Sequence, residues 1–196
     1  MRFLRPFILI LALPSVALAA SQPRVAKPAA AQNAAKPASK PQPSRAAAPA
    51  GFKAEFFVNL DDAQEKIMDL AESVPADKYG WRPGPDVRSI SEVFMHIAGG
   101  NYFLSTFLGA EAPKMNGDME KSVTRKADVI AELKRSFEHL RNAVNAVGDL
   151  EKPVKMFGTQ TTHRGVLVTM LSHLHEHLGQ SIAYARMNGV VPPWSR

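Results

Sequence analysis

Cysteine is absent from this 196-residue chain, and that absence excludes more than disulfides. No thiol nucleophile is available on the protein, no lipid-modified cysteine can follow the N-terminal apolar run, and any metal ion must be held by nitrogen and oxygen donors. Acidic residues are missing from residues 1–50, which hold Arg2, Arg5, Arg24, Lys27, Lys36, Lys40 and Arg45 but no Asp or Glu. With those seven set aside, the remaining 17 of 24 basic residues face 18 acidic ones, so the rest of the chain sits at −1 against the formal +6 of the whole. The pI near 9.7 belongs to the N-terminal segment. It gives no reason to expect a nucleic-acid partner for the folded part.

Long hydrophobic runs are also lacking. The apolar stretch from Phe7 to Leu18 is about a dozen residues with Pro14 inside it, short of the ~20 that a membrane span needs. Arg2 and Arg5 precede it and Ala17-Leu18-Ala19-Ala20 closes it. A positive start, a short apolar stretch and a small-x-small end are the three parts of a secretory signal peptide. Cleavage near Ala19 would export the protein, to the periplasm or beyond, and leave no stable membrane span. Residues 21–50 are almost wholly Ala, Pro, Lys, Ser, Gln and Arg, with Val25 the one large apolar side chain. Six prolines prevent a continuous helix and there is little to bury, so a disordered tether is expected. The expected organisation is a signal peptide over 1–20, a linker over 21–50 and one folded domain over 51–196.

Within that domain no stretch sustains the period-two alternation of a half-buried strand. Helical spacing takes its place. Phe56, Leu60, Ala63, Ile67, Leu70 and Val74 form one stripe over about 52–74, ending before Pro75. A Trp81-Arg82-Pro83-Gly84-Pro85 loop follows, and a second helix is expected from Ser89 or Ser91 to about Leu108, with Ser89 and Glu92 spaced as a capping box and Gly99-Gly100 as a local weakness. Residues 109–123 read as a loop around Pro113, Asn116 and Gly117. A third helix spans about 125–147 with Gly148 as its stop, and a fourth runs from Thr161 or Thr162 to about Met187, ended by Asn188-Gly189. Four amphipathic helices of about 20 residues predict an all-α fold, a four-helix bundle, in which facing side chains can build an interior site.

The six histidines are unevenly spread. His173 and His177 lie one helical turn apart and point the same way, while His175 is turned about 200° away. Two imidazoles at this spacing are a natural pair of ligands for a divalent metal ion. Alone, such a pair is more often a surface or hydrogen-bonded core feature. Met170, Leu174, Ser181 and Tyr184 on the same helix favour an inward face, where a neutral imidazole needs partners for both nitrogens. His96 sits in the apolar stretch Val93 to Ala98. By itself it reads as a satisfied core histidine; facing the His173/His177 pair it becomes a third ligand. His139, among charged neighbours, is expected to be exposed, and His163, at a helix start, structural. A zinc-protease HExxH reading fails because Gly179 stands where the second histidine is required.

Tyr79-Gly80-Trp81-Arg82-Pro83, then Ser89, Glu92 and His96, followed by His173, His177, Gly179-Gln180, Tyr184, Arg186, Gly189 and Pro192-Pro193, resemble in order the two signature segments of the DinB-like family of metal-binding four-helix bundles. The resemblance spans about Phe56 to Ser195. Leu178 departs from it, since members often carry Arg there. The family's three histidine ligands fall on His96, His173 and His177, and His175 matches none. The resemblance implies zinc, nickel, manganese or iron with open coordination positions, and homodimers are a reasonable expectation. Some members are transferases or isomerases that use a small thiol such as glutathione, mycothiol or bacillithiol.

The leading expectation is a metal-dependent enzyme of hydrolase or transferase type acting on a small-molecule substrate. Glu92 and Gln180 are candidates to orient the ligands or to accept a proton, although Glu92 reads first as a helix cap and Gln180 also as an interior hydrogen bond. Export counts against thiol transfer, because small thiols are kept reduced in the cytosol. The rival is a non-enzymatic metal or ligand binder of the envelope or of stress response. A third reading is a tethered interaction module that does not depend on the histidines.

Overall fold

The computed structural model describes residues 51–114 and 117–196; the expected signal peptide and linker lie outside them. Four long helices carry the fold: α1 (Phe52–Ser73), α2 (Ile90–Thr106), α4 (Lys126–Ala146) and α5 (His163–Met187), with the single-turn α3 (Met119–Ser122) between the second and third. The expected bundle is present, and its spatial order does not follow the chain. α2 is flanked by α4 and α5, and α1 closes the ring against those same two helices, which puts α1 and α2 across the diagonal.

Burial explains why α2 is the pivot. α1 and α4 each bury one stripe, Phe56, Leu60, Ala63, Ile67 and Leu70 on the first and Val129, Leu133, Phe137, Leu140 and Val144 on the other, as period 3.6 requires. α2 buries residues on nearly every side, from Ile90 to Ser105. It is enclosed by α4, α5, α3 and the loop before it, so its polar side chains must find partners inside. They do so: Asn101 donates to Ser136 Oγ (3.1 Å), Ser136 to the Leu133 carbonyl, and Ser105 to the Asn101 carbonyl.

The start of α2 is fastened from two directions. Ser89 caps it, and the capping box is complete, with the Ser89 amide donating to Glu92 Oε2 at 2.7 Å. The Tyr79–Trp81 loop runs alongside, its carbonyls accepting from the amides of Ser91 and Ile90, while the buried Tyr79 hydroxyl donates to the Ala71 carbonyl at 2.6 Å. Glu92 also accepts from Arg82 and Lys121. Burial would raise its pKa, but the Ser89 amide and the Lys121 and Arg82 hydrogen bonds outweigh that and hold it at about 2. The cap reading of Glu92 is the one the structure supports.

Four features depart from the sequence reading. α3 interrupts the segment expected to be loop, capped by Asp118, whose carboxylate accepts from the Glu120 amide. A hairpin of β1 (Pro153–Met156) and β2 (Thr159–Thr162) occupies the expected loop before α5, in register from Pro153↔Thr162 to Met156↔Thr159. Four-residue strands are too short to show a period. Its two-residue turn, Phe157-Gly158, has φ of +49° and +83°, the hairpin turn in which Asn or Gly is the usual first residue. Holding a phenylalanine there costs on the order of 1–2 kcal/mol. Finally, α4 ends at Ala146 with Val147 extended, so Gly148 is not its cap, and His139 is not exposed: its ring packs edge-on against Tyr102 at 5.1 Å with Nε2 buried.

Candidate metal centre

The histidines that the sequence singles out converge. His96 comes from the middle of α2 and His173 and His177 from adjacent turns of α5. Their ring centroids lie 4.6–5.1 Å apart, and one nitrogen from each falls within 4.8 Å of the other two. His175 points outward and bonds the Leu171 carbonyl of its own helix. His163, at the start of α5, is tied to the Asp149 carbonyl in a structural role.

Hydrogen bonds decide which nitrogens face the centre. His177 Nδ1 lies 2.9 Å from Gln180 Oε1, an oxygen that can only accept, so Nδ1 carries the proton and Nε2 keeps a free lone pair. Gln180 is held in turn by donating to Tyr184 Oη at 3.1 Å, and Tyr184 packs edge-on against Trp81. Trp81 thereby braces a candidate ligand through Tyr184 and Gln180. Gln180 makes the interior hydrogen bond read from the sequence, and it orients the His177 ring.

His96 is oriented the same way by a residue that sequence reasoning missed. Glu120 Oε1 accepts from His96 Nδ1 at 2.8 Å and its other oxygen from Arg88 at 2.7 Å, which leaves His96 Nε2 free. Burial works against ionisation of Glu120, yet the bonds from Arg88 and His96 win and hold its pKa below the usual range. The carboxylate stays charged and strengthens the imidazole as a donor. Replacing it with alanine is expected to lower metal affinity about 10–100-fold, and Glu120→Gln, which keeps an acceptor, to lower it less; zinc titration with a competing chelator measures both.

His173 has the most telling surroundings. Its Nδ1 is buried without a hydrogen-bond partner. Burial, then the neighbouring His177 and His96 and finally Arg88, push its pKa down to about 4, and burial lowers that of His177 as well. Such rings stay neutral, which is the form that binds metal. An unfolded histidine titrates near 6.5 while folded His173 resists protonation to about 4, so between those values the unfolded chain binds more protons. Stability of the metal-free protein is therefore full above pH 6.5 and declines as pH falls toward 4. Urea midpoints in EDTA at pH 7.5 and pH 5 should show the drop, and His173→Leu should flatten it.

The donor set fits a divalent ion. Two imidazoles are oriented with lone pairs inward, a third carries an orphaned buried nitrogen, and three neutral ligands are enough for a site with open positions. Space is available beside it: a cavity of about 760 Å³ has His96 and His173 on its wall together with Met95, Phe103, Met119 and Phe157. Glycine makes the close approach of α2 and α5 workable. A Cβ on Gly100 would lie 2.2 Å from His173 Cε1, and one on Gly99 3.5 Å from Met119 Cε. The pair that reads as a weakness in α2 is the surface on which a histidine and α3 are seated.

Solved structures share the fold, among them the following three. A DinB-like protein from Bacillus cereus aligns with a TM-score of 0.61 at 17% identity, covering 70% of this chain and 93% of that one. A DinB-like protein from Bacillus subtilis gives 0.58 at 20% identity over 70% and 93%, and a conserved protein from Enterococcus faecalis 0.54 at 15% over 67% and 94%. No protein of curated function shows significant similarity to the chain. The sequence profile of the DinB superfamily matches residues 59–181, a span that encloses His96, His173 and His177, and the chain belongs to that superfamily.

Proposed function

We propose that this protein is an exported, metal-dependent enzyme of hydrolase or transferase type whose divalent ion is held by His96, His173 and His177. The observation that carries the reading is the convergence of three histidines, one nitrogen of each within 4.8 Å of the others, beside a cavity of about 760 Å³ that His96 and His173 line. A divalent ion among neutral ligands keeps its full charge and supplies Lewis acidity. The chain's own residues supply the rest. Glu120 and Gln180 fix the two ring tautomers, and the apolar wall restricts water. Glu176, exposed on the cavity wall, next to His177 in sequence and without an ion pair among the described residues, is the carboxylate we assign as proton acceptor. Export rests on the sequence of residues 1–20, and it favours hydrolysis over thiol transfer.

Zinc-, nickel-, manganese- and iron-loaded protein assayed against ester, amide and thiol-conjugate panels tests the enzymatic reading. Turnover that is lost in His177→Ala and reduced in Glu176→Gln is the expected result. Stable metal retention with no turnover on any panel would mark the protein as a metal or ligand binder instead.

A further inference from the structure

The cavity beside the histidines combines apolar side chains with carboxylates and a few hydroxyls. Met95, Leu104 and Met119 form apolar wall, Asp118, Glu120 and Glu176 contribute carboxylates, and among the described residues no Lys or Arg lines it. An occupant whose body carries phosphate or several carboxylates would be desolvated against like charge, with no Lys or Arg among the described lining residues to meet that body. An uncharged apolar body fits both features.

The mouth carries a second, independent observation. Phe157 and Phe103 stand 67% and 50% exposed, and with Phe107 they form an aromatic cluster with centroids 5.3–5.9 Å apart. Phe103 and Phe157 both line the cavity. Phe157 is kept in a left-handed turn position that Asn would occupy without strain. A strained backbone here presents an aromatic ring that is still 67% exposed at the edge of a cavity, and strain of this kind clusters at ligand clamps.

Resting on the metal reading above, we infer that the cavity takes the apolar acyl or aryl body of a ligand whose oxygen or sulfur donor end reaches the three-histidine centre, with Phe103 and Phe157 as the clamp on that body. The substrate class is a neutral, hydrophobic ester, amide or thioether. Anionic peptide thiols are disfavoured by the carboxylates on the wall.

Acetohydroxamic and octanohydroxamic acids are the probes, titrated into the zinc-loaded full-length protein. Their donor ends are identical, so the difference reads the cavity. The octanoyl compound should bind at least about 100-fold more tightly, since each buried methylene contributes several-fold. In a Phe103→Gln/Phe157→Asn variant that contrast should fall to about 10-fold or less, with metal content unchanged and a melting temperature no lower, because Asn suits the turn. Equal affinity for the two acids in the parent protein overturns the inference and leaves the metal reading standing. Failure to take up zinc overturns the metal reading; 1-aminoanthracene fluorescence in the metal-free protein then decides the cavity separately. Enhancement in the parent that is lost in the variant upholds an apolar ligand site, and no enhancement in the parent overturns it.

Discussion

Substituting alanine for Gly100 should abolish most metal binding while leaving the fold in place. The added Cβ would lie 2.2 Å from His173 Cε1, 2.8 Å from Nδ1 and 3.0 Å from Nε2, so the imidazole ring has to move. Gly100 lies inside α2, where alanine is favoured over glycine by about 1 kcal/mol. Crowding of a packed interface costs about 1–3 kcal/mol, and a ring that can rotate away at its χ angles stays near the lower end. The two effects nearly offset each other in stability. They do not offset each other at the site, because one ligand in three is displaced and affinity should fall about 10–100-fold. Thermal unfolding in EDTA should thus show little change between parent and variant, while the stabilisation added by zinc shrinks sharply in the variant. Unchanged zinc affinity would mean that His173 is not held in place by Gly100.

The same substitution separates what could be read from the sequence from what could not. The four long helices were legible because α1 and α4 bury single stripes at three- and four-residue spacing, α2 and α5 carry apolar residues over runs too long for a strand, and the Ser89/Glu92 box announced where α2 begins. The His173/His177 pair follows from one-turn spacing on a single helix, and His96 was reachable because a histidine amid Val93, Phe94 and Ile97 has to be inside. Glu120 was not reachable that way. It stands 24 residues from the ring it orients, on a single-turn helix between Gly117 and a further loop, where no period can develop. Asp118 as a cap was the only local sign of that turn. The closeness behind Gly100 is likewise invisible along the chain, since glycine in a helix reads as low propensity unless the facing residue is known.

His139 shows the opposite error, in which a usable signal was passed over. Its neighbours in sequence are charged, yet Ser136 and Ala143, three positions before and four after it, are both buried on α4. Helical neighbours at those offsets share a face, and they place the ring against Tyr102. The hairpin lay beyond either kind of argument. Its only sequence mark was Gly158, and the aromatic residue beside that glycine contradicts the usual turn chemistry. That contradiction is where the ligand-clamp proposal begins.

The second large effect is the loss of a ligand outright. Structural zinc sites bind with roughly 10–16 kcal/mol from four ligands, or about 3 kcal/mol for each, which corresponds to about 100-fold in affinity. His177 is a buried residue at 7% exposure, and its replacement by alanine also frees Gln180 from its acceptor role. Affinity in His177→Ala should therefore fall by about 100-fold or more. His175→Ala, which removes an outward-facing ring from the same helix, should leave affinity unchanged.

Metal content of the purified full-length protein, measured beside His177→Ala and His175→Ala after equilibration with a slight excess of zinc and gel filtration, tests the three-histidine centre most directly. The expected result is close to one ion per chain in the parent and in His175→Ala, and a small fraction of that in His177→Ala. Equal metal content in the parent and His177→Ala would contradict it.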